Sequence, residues 1–109
     1  MSVEDSNVID FLQEKEDNVV LTITDHLEWE DDDNNHIYLL QEKINGYLTA
    51  IQSGQIHKHY PSTIDKQMVI SVAMKYAPND TGLVFLSKVN EVLTNAGYVF
   101  EYYIFNPDE

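Results

Sequence analysis

Twice along this chain the spacing of apolar residues changes from every second position to every third or fourth and back again. That double switch leaves few folds open. Val19, Leu21 and Ile23 lie on one side of an extended run, with Val20, Thr22 and Thr24 on the other. From His36 the period becomes helical, and Ile37, Leu40, Ile44, Tyr47, Leu48 and Ile51 form one stripe. Alternation returns with Met68, Ile70, Val72, Met74 and Tyr76, set opposite Val69, Ser71, Ala73 and Lys75. Phe85, Leu86, Val89, Val92, Leu93 and Ala96 make a second helical stripe. The last extended run, Tyr98 to Phe105, is apolar on both faces apart from Glu101.

The boundaries follow from local chemistry. Val8 to Leu12 is a short apolar run, and the polar stretch Gln13 to Asn18 turns it back on Val19 to Thr24 as a β-hairpin. Asp33, Asn34 or Asn35 caps the first helix, where negative charge also suits the dipole. Ser53-Gly54 ends that helix, and residues 55–66, with His57, His59 and Pro61, read as a polar loop. Pro78-Asn79-Asp80-Thr81 starts the second helix, with Asn79 or Asp80 as its cap, and Asn95-Ala96-Gly97 stops it.

The order is therefore ββαβαβ. A strand, a helix and a strand of one sheet form a right-handed parallel crossover. The expectation is an α+β two-layer sandwich: a four-stranded mixed sheet with two helices on one face. Polar outer residues such as Thr22, Ser71 and Lys75 suit a second face that meets water. The spacing does not order the strands. At 109 residues, with 43% apolar and 11% aromatic, the chain has material for one core. Residues 1–109 are read as a single domain, with 1–7 and 106–109 as frayed tails.

Charge excludes several partners. Of the net −13, residues 1–33 carry −11, from twelve acids against Lys15; residues 34–109 carry seven acids and five lysines. All six basic residues are lysine, so the planar fork that grips phosphate is missing. A polyanion repels such a chain, which argues against nucleic acid and against an anionic lipid surface. Cysteine is absent, which removes disulfides, thiolate metal sites and cysteine nucleophiles. The opening Met-Ser-Val-Glu-Asp-Ser-Asn lacks a basic or apolar leader, and no run approaches the ~20 apolar residues of a membrane span. A cytoplasmic location is expected.

Certain segments are familiar as tags. Asp25-His26-Leu27-Glu28-Trp29, His36, Leu40-Gln41-Glu42-Lys43-Ile44-Asn45, Tyr47-Leu48 and Ser53-Gly54-Gln55-Ile56 resemble a bacterial family of small proteins classed as a domain of unknown function, the one numbered 6572. The likeness runs from about Val8 to the final strand. It implies a bacterial, compact α+β domain, and it carries no activity, substrate, cofactor or catalytic residue. The run Glu30 to Asn35 is longer and more acidic than that family suggests.

The densest group of chemically capable residues is Asp25, His26, Glu28, Glu30, Asp31, Asp32, Asp33 and His36. Asp31-x-Asp33-x-Asn35, with Glu42 twelfth, matches the oxygen spacing of a calcium loop. His36 stands where the sharp-turn glycine belongs, however, and the helical stripe has begun by Ile37. A looser site of His26, His36 and one or two carboxylates suits zinc or manganese, and opens the rival reading of a divalent-metal-binding protein or metal-dependent hydrolase. The bland reading, a solvated acidic loop feeding a helix N-terminus, is preferred. His57-x-His59 offers two ligands from an extended segment but has no neighbouring acid or cysteine. Ser6, Ser53, Ser62, Ser71 and Ser87 lie in no G-x-S-x-G elbow, and no glycine-rich phosphate loop is present. No catalytic residue, cofactor or metal is assigned.

What remains is binding. Asp25, His26, Glu28, Trp29, Glu30, Asp31, Asp32 and Asp33 would present an anchor ring rimmed by acids to a basic protein; otherwise Trp29 folds back on the core. An immunity-type inhibitor of a basic bacterial toxin is one such module. Tyr98, Phe100, Tyr102, Tyr103 and Phe105 would form the seam of a homodimer, or lie buried in a covered central strand. The leading expectation is a non-enzymatic protein-binding module.

Overall fold

The computed structural model describes residues 11–29 and 34–105. Its elements run β1 (Phe11–Glu14), β2 (Asn18–Asp25), α1 (Asn34–Gln52), α2 (Gln55–His59), a 3-10 turn (Pro61–Thr63), β3 (Gln67–Met74), α3 (Asp80–Asn95) and β4 (Val99–Ile104). The sheet order is β1-β2-β3-β4. β1 is antiparallel to β2, while β2, β3 and β4 are mutually parallel. Both crossovers therefore step the same way across the sheet. Two right-handed crossovers in one direction put both helices on one face, so the expected two-layer α+β sandwich forms.

The shared face carries the core. Val19, Leu21 and Ile23 of β2 and Ile70, Val72 and Met74 of β3 are wholly buried. They pack under Leu40, Ile44, Tyr47 and Ile51 of α1 and under Leu86 and Leu93 of α3. At roughly 25 cal/mol per Å² of apolar area removed from water, such side chains each contribute on the order of 2 kcal/mol. The Tyr47 hydroxyl, at the bottom of that stripe, donates to the Thr22 carbonyl at 2.9 Å.

Four local expectations are corrected. The first strand uses Gln13 and Glu14, which read as turn; Leu12 faces Leu21, and the exposed edge of a sheet tolerates polar side chains. The turn is then short, closed by the Lys15 amide donating to the Asn18 carbonyl at 2.8 Å. Val8 to Asp10 lie outside the described residues, as do the tails 1–7 and 106–109.

Residues 55–66 are not an open loop. Gly54 adopts a left-handed φ of 82°, which an L side chain resists, and the chain turns directly into α2. Ile56 anchors that short helix in the core, and Thr63 is fully buried behind it.

The α1 stripe includes two polar side chains, His36 and Lys43, both out of water. The Lys43 ammonium lies 5.7 Å from the Tyr47 ring centroid, a cation–π approach. The α3 stripe is narrower than its periodicity implies. Gly82, Leu86 and Leu93 are buried, whereas Val92 is 62% exposed and Ala96 is open to solvent. Val92 borders a groove of 310 Å³ between α1 and α3. Asn79 is the α3 cap, its side chain accepting from the Gly82 amide at 2.8 Å.

β4 lies at the edge of the sheet and not at its centre. Phe100 alone of its residues is buried.

Candidate functional site

Ligand sites in sheets with parallel strands favour the carboxyl ends of those strands, and the first candidate lies there. Asp25 closes β2 and His36 opens α1. His36 Nε2 lies 2.6 Å from Asp25 Oδ2, with neither side chain exposed. The other ring nitrogen, Nδ1, sits 3.2 Å from the Glu28 carbonyl oxygen, and Asp25 Oδ1 accepts from the Leu27 amide at 3.1 Å. A carbonyl and a carboxylate both accept. Full hydrogen bonding thus takes a proton on each ring nitrogen, or a carboxyl proton donated from Asp25 to Nε2. Trp29 covers the pair, its ring centroid 3.9 Å from that of His36.

This arrangement resembles an acid–base dyad only in composition. His36 Nδ1 meets a main-chain carbonyl where a nucleophile would stand, and the His36 and Asp25 side chains, both out of solvent, offer a solute no approach. The cluster ties the end of β2 to the start of α1. Gly82 completes it: a Cβ there would stand 2.7 Å from Trp29 Cε3 and Cζ3.

The group expected as one acidic face is divided. Asp25 points into the core and Trp29 packs half-buried against it, which is the folded-back alternative. His26 and Glu28 are exposed. Glu30, Asp31, Asp32 and Asp33 lie outside the described residues. His36, engaged at both nitrogens, is not presented to a metal beside His26. Among the described residues no three of His, Asp and Glu gather as metal ligands. Helix α1 already includes Asn35 and Glu42, so the calcium-loop spacing is not a twelve-residue loop.

His57 and His59 sit on helix α2, where positions two apart diverge; an extended segment would align them. His57 Nδ1 contacts Thr63 Oγ1 at 2.8 Å, and that hydroxyl donates to the Tyr60 carbonyl at 2.6 Å. With the hydroxyl proton spent, His57 donates from Nδ1.

The second candidate is the β4 edge with the sheet face behind it. Tyr102, Tyr103, Ile104 and Phe105 are 42–57% exposed. The Phe105 amide donates to the Met74 carbonyl, so odd-numbered residues of this strand direct their N–H and C=O groups to β3. By alternation, Phe100, Tyr102 and Ile104 direct theirs away from the sheet. Among the described residues no strand pairs with that side. On the face opposite the helices, Phe11, Val20, Thr22, Ala73, Tyr103 and Phe105 border an open trough of 520 Å³. Ser71, 1% exposed on the trough floor, has a hydroxyl without a hydrogen-bond partner.

Of the expected seam, Tyr102, Tyr103 and Phe105 are presented, Tyr98 is half-buried, and Phe100 belongs to the core of its own chain. Phe11, Val99 and Ile104 are further exposed apolar residues that periodicity did not single out. The signal for them was the strand order, which spacing does not carry.

The model of a family described as a family of unknown function (DUF6572) matches residues 1–106. No curated protein and no solved structure matches the chain. No helix among the described residues is long and apolar enough to cross a membrane.

Proposed function

The chain belongs to this family of unknown function, and we propose that it is a protein-binding module that takes up a partner strand along β4. The observation that carries the reading is the outward backbone of Phe100, Tyr102 and Ile104, flanked by exposed apolar side chains. Natural edge strands are normally guarded by lysine, proline, a bulge or covering structure. β4 reads Val-Phe-Glu-Tyr-Tyr-Ile and has a single charge, Glu101, and no proline or lysine. Main-chain hydrogen bonds would supply affinity and the alternate side chains would supply selectivity.

A second reading concerns the partner's charge. Twelve acids in the first 33 residues and a net −13 favour a basic protein, as an immunity-type inhibitor of a basic toxin would require. Contacts of that kind weaken in moderate salt.

Tyr102→Pro tests the strand reading. Its N–H faces outward, so proline removes an edge donor and leaves the β3 ladder intact. Capture from native lysate with wild type and with a folded Tyr102→Pro variant is the measurement. A partner retained by wild type and lost by the variant supports strand addition. Equal retention by both overturns it.

A further inference from the structure

We infer that the strand taken up by β4 is β4 of a second copy of this chain, paired antiparallel with Tyr102 on a two-fold axis; this rests on the strand-addition reading. A two-fold axis normal to the sheet makes facing edge strands antiparallel by symmetry. Residues directly opposite in such a pair lie on the same face, so odd positions meet odd and even meet even.

That leaves few registers, and they are not equivalent. With Tyr102 on the axis, Phe100 stands opposite the partner's Ile104, and Tyr102 opposite the partner's Tyr102. These are the positions whose N–H and C=O groups point outward, so all three are used, in the mutually hydrogen-bonded class of pair. Val99 then faces the partner's Phe105, and Glu101 faces the partner's Tyr103. Apolar or aromatic side chains meet at every pair except the Glu101 positions, where each carboxylate is set against a phenol.

Centring one residue earlier puts Glu101 directly opposite the partner's Glu101 in the closer, non-hydrogen-bonded class of pair, where like charges repel. It also aligns Ile104 with the partner's Tyr98. The Tyr98 amide is already spent on the Leu93 carbonyl at 2.9 Å. Centring on Phe100 sets Ile104 beyond the start of the partner strand, and centring on Tyr103 sets Phe100 beyond its end. The Tyr102 register uses every outward backbone group, matches apolar with apolar side chains and keeps the two Glu101 carboxylates from facing each other. It joins two four-stranded sheets into one and covers Tyr102, Tyr103 and Ile104.

Charge gives the assembly a signature of its own. Two copies of a chain at −13 repel one another, so added salt tightens this pairing.

The chain contains no cysteine, so one introduced thiol reports one position. Opposite residues of a hydrogen-bonded antiparallel pair have Cα atoms about 5.5 Å apart, within disulfide range. Light scattering of the wild-type protein is expected to give a dimer that salt strengthens. Under mild oxidation Tyr102→Cys forms a covalent dimer, Val99→Cys does not, and Val99→Cys with Phe105→Cys does. A dimer in which Val99→Cys crosslinks as readily as Tyr102→Cys overturns the register. A wild-type chain that stays monomeric overturns the second copy as occupant. In that case, lysate capture abolished by Tyr102→Pro leaves strand addition standing with a different partner, and capture unchanged by Tyr102→Pro removes both readings.

Discussion

His36 Nε2 and Asp25 Oδ2 stand 2.6 Å apart in a position no water reaches, and through that contact the first turn of α1 is fastened to the last residue of β2. Removing one member leaves the other buried without its partner. His36→Leu is therefore expected to destabilise the fold by about 3–5 kcal/mol. Asp25→Asn, whose amide still meets the ring, costs less. Replacing both residues by leucine costs less than His36→Leu alone, because no orphaned carboxylate remains. Urea unfolding of wild type, His36→Leu, Asp25→Leu and the double leucine variant closes a double-mutant cycle that measures the coupling.

The sole tryptophan lies over Gly82 too closely for any side chain. A Cβ there meets Trp29 Cε3 and Cζ3 at 2.7 Å and the Pro78 Cβ at 3.1 Å. Gly82→Ala gains helix propensity worth about 1 kcal/mol. Overpacking of a closed site costs about 1–3 kcal/mol, so the net sign is destabilising. The expected readout is a lower melting temperature with a red-shifted tryptophan emission, as the ring is pushed toward water.

Glu14 supplies a pH handle at the opposite end of the sheet. Its carboxylate accepts from Lys66 Nζ at 2.9 Å and from Ser62 Oγ at 2.8 Å. Lys66 first, then Ser62, hold its pKa below the usual carboxylate value of 4.5. A carboxyl with a depressed folded-state pKa stabilises the fold above its unfolded value, and that contribution disappears as pH falls through the lowered one. Glu14→Gln should melt slightly below wild type at neutral pH, with the two curves converging in acid. Thermal scans from neutral to acidic pH give the comparison. A gap that widens toward acid has the wrong sign.

Most of the fold was readable because each core-facing element obeys its own period. Leu40, Ile44 and Tyr47 announce α1, and the alternation of Met68 to Met74 announces β3. What spacing misses is burial of polar residues. His36 and Lys43 fall on the core-facing side of α1, yet their chemistry marks them as surface, and only the positions of Asp25, Glu28 and Tyr47 make their burial sensible. The same limit divided the acidic group. Along the chain Asp25 groups with His26 and Glu28, but as the last inward position of β2 it belongs with Ile23 and Leu21. Ile56 held α2 on the core with one apolar residue, too few to form a pattern. The edge position of β4 was invisible for a different reason: an apolar strand reads alike at the centre of a sheet and at its margin.

The spatial order of the strands repeats their order in the chain. A ribosome delivers residues N-terminal first, so this sheet grows by accretion, and no strand has to slip between two that are already joined. β3 keeps a raw flank until β4 arrives. Once β4 docks, the vulnerable margin has moved outward by one strand. β4, left with an open side among the described residues, is thus the last of the four strands to be made, and it docks on three that are already joined.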